Sequence, residues 1–200
     1  MENPGEQYLK AQGLSPLMLE HIGAIAVFSG SFELWAERIV WRLKNEEPKG
    51  THPTTDGHPI SSLIKSILTA SDAHQNRRLA NLTIAWARAA KPTTECRNSI
   101  FHGLGVNLAE TTIFMKGASW SGELRKRSPS EFHADEHTLL LLREACGDLA
   151  YIAQKLATET GIEESHHRSE FADFRSRLSQ IKSITQELCD LTAAVNHEKY

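Results

Sequence analysis

Residues 95–105, ECRNSIFHGLG, are the stretch around which the rest of the 200-residue chain is read. They place Arg97, Asn98 and His102 within six positions, just after Lys91-Pro92. Pro92 predicts a helix break, and Thr93 or Thr94 then serves as N-cap of a new motif helix. In that helix Asn98 and His102 are four residues apart and share a face. Arg97 stands about 100° around the axis, close enough for its long side chain to reach the same space. Ile100 and Phe101 lie on other sides and hold the turn against a core. One patch then offers a permanent cation with a fork of donors, an amide, and an imidazole, a group that ordinarily titrates near neutral pH.

That set suits phosphodiester chemistry. A guanidinium stabilises charge on phosphoryl oxygens, and an imidazole moves a proton. RNA supplies its own nucleophile, the 2′-hydroxyl, so neither a metal nor a protein nucleophile is needed in principle. A plainer reading stands beside this one. His102 and Gly103 then only end a helix, with the imidazole at the negative end of the dipole, and Arg97 is a surface ion-pair partner.

Arg97-Asn98-Ser99-Ile100-Phe101-His102 resembles the R-polar-x3-H motif of the HEPN superfamily (higher eukaryotes and prokaryotes nucleotide-binding domain). The resemblance implies an all-α bundle and a metal-independent endoribonuclease of the toxin or anti-phage type. It implies no cofactor, and an RNA-cleaving site made where two copies meet in a homodimer. His102 would be general base or acid, Arg97 would hold the phosphoryl group, and Asn98 would orient phosphate or His102. An antitoxin or a defence partner is implied as well. A toxin subgroup carries a Tyr two residues after the His. Here that position is Leu104, so control by nucleotidylation at that site is not expected.

Composition sets the outer limits. The chain is 40% hydrophobic and 24% charged, enough for one good core. A net charge of −3 gives no global basic bias of the kind that marks non-specific nucleic-acid binders. Cys96, Cys146 and Cys189 are odd in number and lack metal spacing, which points to free thiols. Met1–Gly13 is polar, and the longest apolar run, Leu139–Leu142, is short, so no membrane association and a cytoplasmic location are expected. No glycine-rich phosphate loop is present.

The predicted fold is mainly α: an antiparallel helical bundle, HEPN-like, with a small β-hairpin after the motif helix and a long C-terminal helix. Residues 1–14 read as a flexible N-terminus, 15–160 as the helical domain, and 161–200 as a helix packing on the bundle or on a dimer partner. Ser15-Pro16 starts a long helix to about Leu43, with a stripe of Ile22, Ile25/Ala26, Ser29, Phe32, Ala36, Ile39/Val40 and Leu43. Glu33 falls inside that stripe. A carboxylate there needs a partner or water, and Arg97 is the attractive partner, in a supporting role. Asn45–Gly57 is a loop by composition, and helices follow from Pro59 or Ser61 to Ser71 and over Asp72–Ala90.

After the motif, Val106–Met115 is β-prone, Lys116-Gly117 can turn, and Trp120–Arg127 forms the second strand. It ends in Arg125, Lys126 and Arg127, candidate contacts to the RNA backbone or, alternatively, a solvated loop cluster. Ser130 or Asp135 starts the next helix, which would set His133 and His137 four apart. Two ligands without a third at motif spacing make a weak metal signal, and none is assigned. The last helix begins at Ser169. Its stripe of Phe171, Phe174, Leu178, Ile181, Ile184/Thr185, Leu188, Leu191 and Val195 either closes the bundle or makes a seam for another chain. The competing functional reading is a non-catalytic helical module that binds a nucleotide, RNA or protein. A third is purely architectural, a scaffold assembled through that C-terminal seam.

Overall fold

The computed structural model describes residues 3–47, 49–108, 111–116, 130–158 and 168–197. Among them run α1 (Pro4–Ala11), α2 (Pro16–Lys44), α3 (Ile60–Ala73), α4 (Arg77–Phe101), β1 (Leu104–Leu108), β2 (Thr111–Lys116), β3 (Ser130–Ala134), α5 (Glu136–Thr158) and α6 (Arg168–His197). A mainly helical bundle with a small antiparallel sheet is therefore the architecture.

Local chemistry accounts for most of the helix ends. Ser15 Oγ accepts the Met18 N–H at 3.1 Å and caps α2, with Pro16 in its first turn. Asn45, in the left-handed region at φ 52°, ends it, a role more often given to glycine. The expected stripe is buried at Ile25, Ser29, Phe32, Ala36, Ile39, Val40 and Leu43, whereas Ile22 is only half-buried and Ala26 is exposed. Length and composition alone would let α2 cross a bilayer, but its contacts are those of a core helix against α3 and α5.

Several expectations are corrected. Residues 1–14 are not loose throughout: Asn3 Oδ1 accepts the Gly5 N–H at 2.9 Å, Pro4 presets the first turn, and α1 forms. Its end is tied to the sheet by the Thr112 hydroxyl, which donates to the Gln12 and Gly13 carbonyls at 3.2 Å each.

Pro92 does not break the chain into two helices. It lies inside α4, and Thr93 and Thr94 are not N-caps. Their hydroxyls donate to the carbonyls of Ala89 at 2.9 Å and Ala90 at 2.8 Å. A mid-helix proline costs about 3 kcal/mol. Here it is outweighed by burial, since Ala87, Ala89, Ala90, Pro92, Thr93, Thr94 and Cys96 are all enclosed. Arg88, whose carbonyl loses its usual partner at Pro92, is an exposed residue.

The β-region is also redrawn. Val106–Met115 is two strands, not one, paired Leu104↔Met115 through Leu108↔Thr111. Ser130 does not start a helix. It opens β3, which pairs with β2 from Thr112↔Ala134 to Lys116↔Ser130. Phe132 and Ala134 point into the core at period two. Asp135 then caps α5, its Oδ1 accepting the Thr138 N–H at 2.7 Å, and that bond holds the Asp135 carboxyl below its ordinary range. His133 sits on a strand and His137 on α5, so the two are not neighbours on one helix face. Among the described residues no group of three His, Cys, Asp or Glu is placed to hold a metal.

The bundle is not simply antiparallel. Along α2 and α5 the contacts run in the same order: Ser15 to Glu136, Glu20 to Arg143, Ser29 to Cys146, Arg42 to Leu156. The same holds for α4 and α6, from Arg78–Phe171 through Thr93–Thr185 to Cys96–Cys189. Each parallel pair is antiparallel to the other, as Asp148–Arg177 and Tyr151–Phe174 show for α5 and α6. The first half of the α6 stripe packs inside the chain: Phe171, Phe174, Leu178 and Ile181 are buried.

At the centre Phe32 and Trp86 meet edge to face, with centroids 6.4 Å apart. The Trp86 indole donates to the Leu149 carbonyl at 3.0 Å, so three helices share one side chain. Trp86→Ala should cost about 3–5 kcal/mol. Urea denaturation of the variant and the wild type, followed by circular dichroism, measures it.

Candidate functional site

The C-terminal end of α4 carries the motif to the surface. Ile100 is buried and anchors the last turn. Phe101, read as a core contact, is instead 37% exposed, and its ring lies under Arg97, with Cζ 5.2 Å from the centroid. The spacing of four between Arg97 and Phe101 was the available signal for that contact.

Arg97 is held on several sides. Its Nη1 donates to Asn98 Oδ1 at 2.9 Å. Its Nη2 lies 3.4 Å from Glu33 Oε1, so α2 and α4 meet at an ion pair. Both side chains keep some water contact, at 23% and 34% exposure, which limits the pair to about 1 kcal/mol or less. Nε is enclosed without a hydrogen-bond partner among the described residues. The guanidinium is thus fixed in place and partly neutralised.

Below it lies Cys146, on α5 and fully buried, with the Ser29 hydroxyl 3.9 Å from its sulfur. Burial pushes this thiol up from its ordinary 9.0 to about 12, while the Ser29 contact and the nearby Arg97 charge pull weakly the other way. Neither Ser29 nor Cys146 stood out in the sequence as a neighbour of the motif; both looked like ordinary stripe positions.

His102 is the first residue beyond α4, at φ −114° and ψ 4°. Its N–H still donates to the Asn98 carbonyl at 3.1 Å, so it keeps the helical register and stands one turn beyond Asn98. The residue is exposed, and among the described residues its ring makes no hydrogen bond to Arg97, Asn98 or Glu33. Gly103 explains why the chain can turn there. A Cβ at that position would meet the Ser99 carbonyl at 2.4 Å and Phe114 Cβ at 3.0 Å. Only glycine lets β2 pass so near the helix end, and β1 begins one residue later.

The structure therefore brings Arg97, Asn98 and Glu33 into one bonded cluster and leaves His102 beside it, open to solvent. Arg125, Lys126 and Arg127 lie outside the described residues. Two clefts of about 500 Å³ occur elsewhere. One is bordered by Lys44, Lys65 and His74, the other by Arg78, Asn81, Phe171 and Arg175. Neither is lined by the motif residues.

No protein-family model, no curated protein and no solved structure matches this chain.

The buried Cys146 thiol gives a pH signature. Below pH 9 it is protonated in both states; between pH 9 and about 12 the unfolded chain loses the proton and the native protein keeps it. Native stability should fall as pH rises through that window, by up to about 1.4 kcal/mol per pH unit. Cys146→Ala should remove this component, so the difference between variant and wild type in urea titrations at pH 8 and pH 10.5 should move in the variant's favour.

Proposed function

We propose that this chain is a metal-independent endoribonuclease of the HEPN type, whose Arg97/Asn98/His102 site is completed when two copies meet. The observation that carries the reading is the end of α4. A guanidinium, fixed by Glu33, Asn98 and Phe101, adjoins a solvent-open imidazole in the next turn. A phosphate approaching this surface can take the place of the Asn98 amide oxygen on Nη1, and Glu33 continues to hold Nη2. The 2′-hydroxyl of the same nucleotide then loses its proton to His102 and attacks the phosphorus. Arg97 stabilises the added charge on the phosphoryl oxygens. The products are a 2′,3′-cyclic phosphate and a 5′-hydroxyl. Protonating the leaving oxygen needs a second group, and the His102 of a second copy supplies it.

The outer face of α2 suits that second copy. Val27 is 68% exposed and Leu34 49%, on one stripe with Gly30 between them. A Cβ at Gly23 or Gly30 would meet nothing within 4 Å, so the face is open and flat. Leu34 follows Glu33 on α2, about 100° around the helix axis. Covering one such side chain contributes about 1.5–3 kcal/mol. An enzyme of this kind is harmful when unchecked, which accords with a toxin or anti-phage role and an antitoxin or defence partner.

One observation favours the other reading, a binding module without turnover. The cleft between α4 and α6 is lined by Arg78, Asn81, Leu82, Phe171, Ala172, Arg175, Ser176 and Ser179, with no carboxylate among them. Cations, hydroxyls and an aromatic ring are what a phosphorylated ligand with a base requires. For the architectural reading, Phe171, Phe174, Leu178 and Ile181 of the α6 stripe are already covered within the chain.

Purified protein incubated with mixed RNAs should yield 2′,3′-cyclic phosphate ends. Arg97→Ala and His102→Ala should each lower the rate at least about 100-fold without changing the melting temperature by more than a few degrees. Intact RNA with all three proteins, or equal rates in all three, refutes the nuclease reading; RNA retained but uncut supports the binding module. Val27→Glu with Leu34→Glu should shift the sedimentation of the protein to that of a monomer and abolish cleavage while leaving the fold intact.

A further inference from the structure

Two sulfurs face each other across the α4–α6 contact. Cys96 Sγ and Cys189 Sγ are 3.2 Å apart, and neither belongs to the site described above. Cys96 is 1% exposed; Cys189 is half-buried and reachable from the surface. The backbone holds both in place. The Cys96 thiol also points at the Thr185 carbonyl, 3.6 Å away, and the Cys189 thiol at the Pro92 carbonyl, 3.7 Å away. The contact is made possible by the unbroken course of α4 through Pro92 and by the parallel alignment of α6, which sets residue 96 beside residue 189.

We propose that Cys96 and Cys189 form an oxidation site, which a peroxide closes into a disulfide joining α4 to α6 one residue before Arg97. Cys189 is the attacking group. Cys189 is the more exposed of the two sulfurs, and once ionised it can accept the Cys96 S–H, which favours the Cys189 thiolate and disfavours ionisation of Cys96; burial adds to the latter effect. Glu95 and Asp190, the carboxylates nearby, oppose ionisation of Cys189 without reversing it.

The electrons balance over two steps. The Cys189 thiolate attacks one peroxide oxygen, the O–O bond breaks, and hydroxide leaves; Cys189 is now a sulfenic acid, oxidised by two electrons. The Cys96 sulfur then attacks Cys189 sulfur, an S–S bond forms, and the sulfenic oxygen departs as water with the Cys96 proton. Two thiols and one hydrogen peroxide become one disulfide and two waters. The sulfurs need to approach by only about 1.2 Å to reach bonding distance. That movement draws the last turn of α4 toward α6, at the residue that precedes the guanidinium. Cys146, fully buried and with its thiol held protonated, is not a competing partner.

The test treats the full chain with hydrogen peroxide, blocks remaining thiols with an alkylating agent, and maps peptides by mass spectrometry. The expected result is one Cys96–Cys189 link within a chain, two hydrogens lighter, with Cys146 modified only after unfolding and with the link removed by dithiothreitol. Cys146→Ser should retain the link, whereas Cys96→Ser and Cys189→Ser should lose it. Wild-type mapping decides alone should any variant fail to fold. Cys189 driven to sulfinic acid beside an unmodified Cys96, a link between chains, or a link through Cys146 overturns the proposal. The outcome is independent of whether the protein cleaves RNA.

Discussion

Everything in this molecule depends on the burial of the middle of α4. Few helices are enclosed on so many sides. Trp86 reaches α5, Thr83 meets Ser71 of α3 at 2.7 Å, and Thr93 and Cys96 touch α6. Small side chains, chiefly Ala87, Ala89 and Ala90, let the neighbours come close. Such a segment has no room for the bend a proline would otherwise cause. The hydroxyls of Thr93 and Thr94 fold back on carbonyls of the turn before, which keeps polar groups satisfied inside the core. A continuous rod results, and its far end delivers Arg97 to the rim of the bundle in a fixed orientation.

At that rim the balance of forces is different. Arg97 gives its charge to Glu33, its fork to Asn98 and its flat face to Phe101, all at partial exposure. None of these contacts is strong alone, since water screens the ion pair. Together they restrict the guanidinium to one geometry, and that restriction matters more for chemistry than for stability. A ligand meeting a preset fork does not have to order it first. The unsatisfied Nε marks the remaining donor capacity of the same group.

The sequence was readable where local rules decide. The period of α2, its Ser15 cap and the need of Glu33 for a cation on another helix follow from spacing and from the cost of burying a charge. The start of α5 at Asp135 follows from capping. Other features rest on longer-range facts. Pro92 is a strong local signal overruled by packing on every side, which single-residue propensities do not contain. The β1–β2 connection has Ala109 and Glu110 where an Asn-Gly pair would have announced a hairpin, so the break was invisible. Residues 131–134 alternate between half-buried and buried for only four positions, too few to outweigh the helix that follows. The parallel pairing of α2 with α5 and of α4 with α6 joins elements far apart in sequence, and no periodicity encodes it.

His102 is followed by one glycine and then by a paired strand, so it has no loop in which to move. Gly103 packs against Ser99 and Phe114 so closely that no other residue fits, which locks the helix end onto the sheet. The backbone of His102 is thereby fixed, while its side chain stays exposed. On α2 the exposed Val27 and Leu34 face away from the core, and Glu33 of the same helix reaches Arg97. The placement of the Arg97 guanidinium and of the His102 backbone is thus fixed when the chain's own core forms.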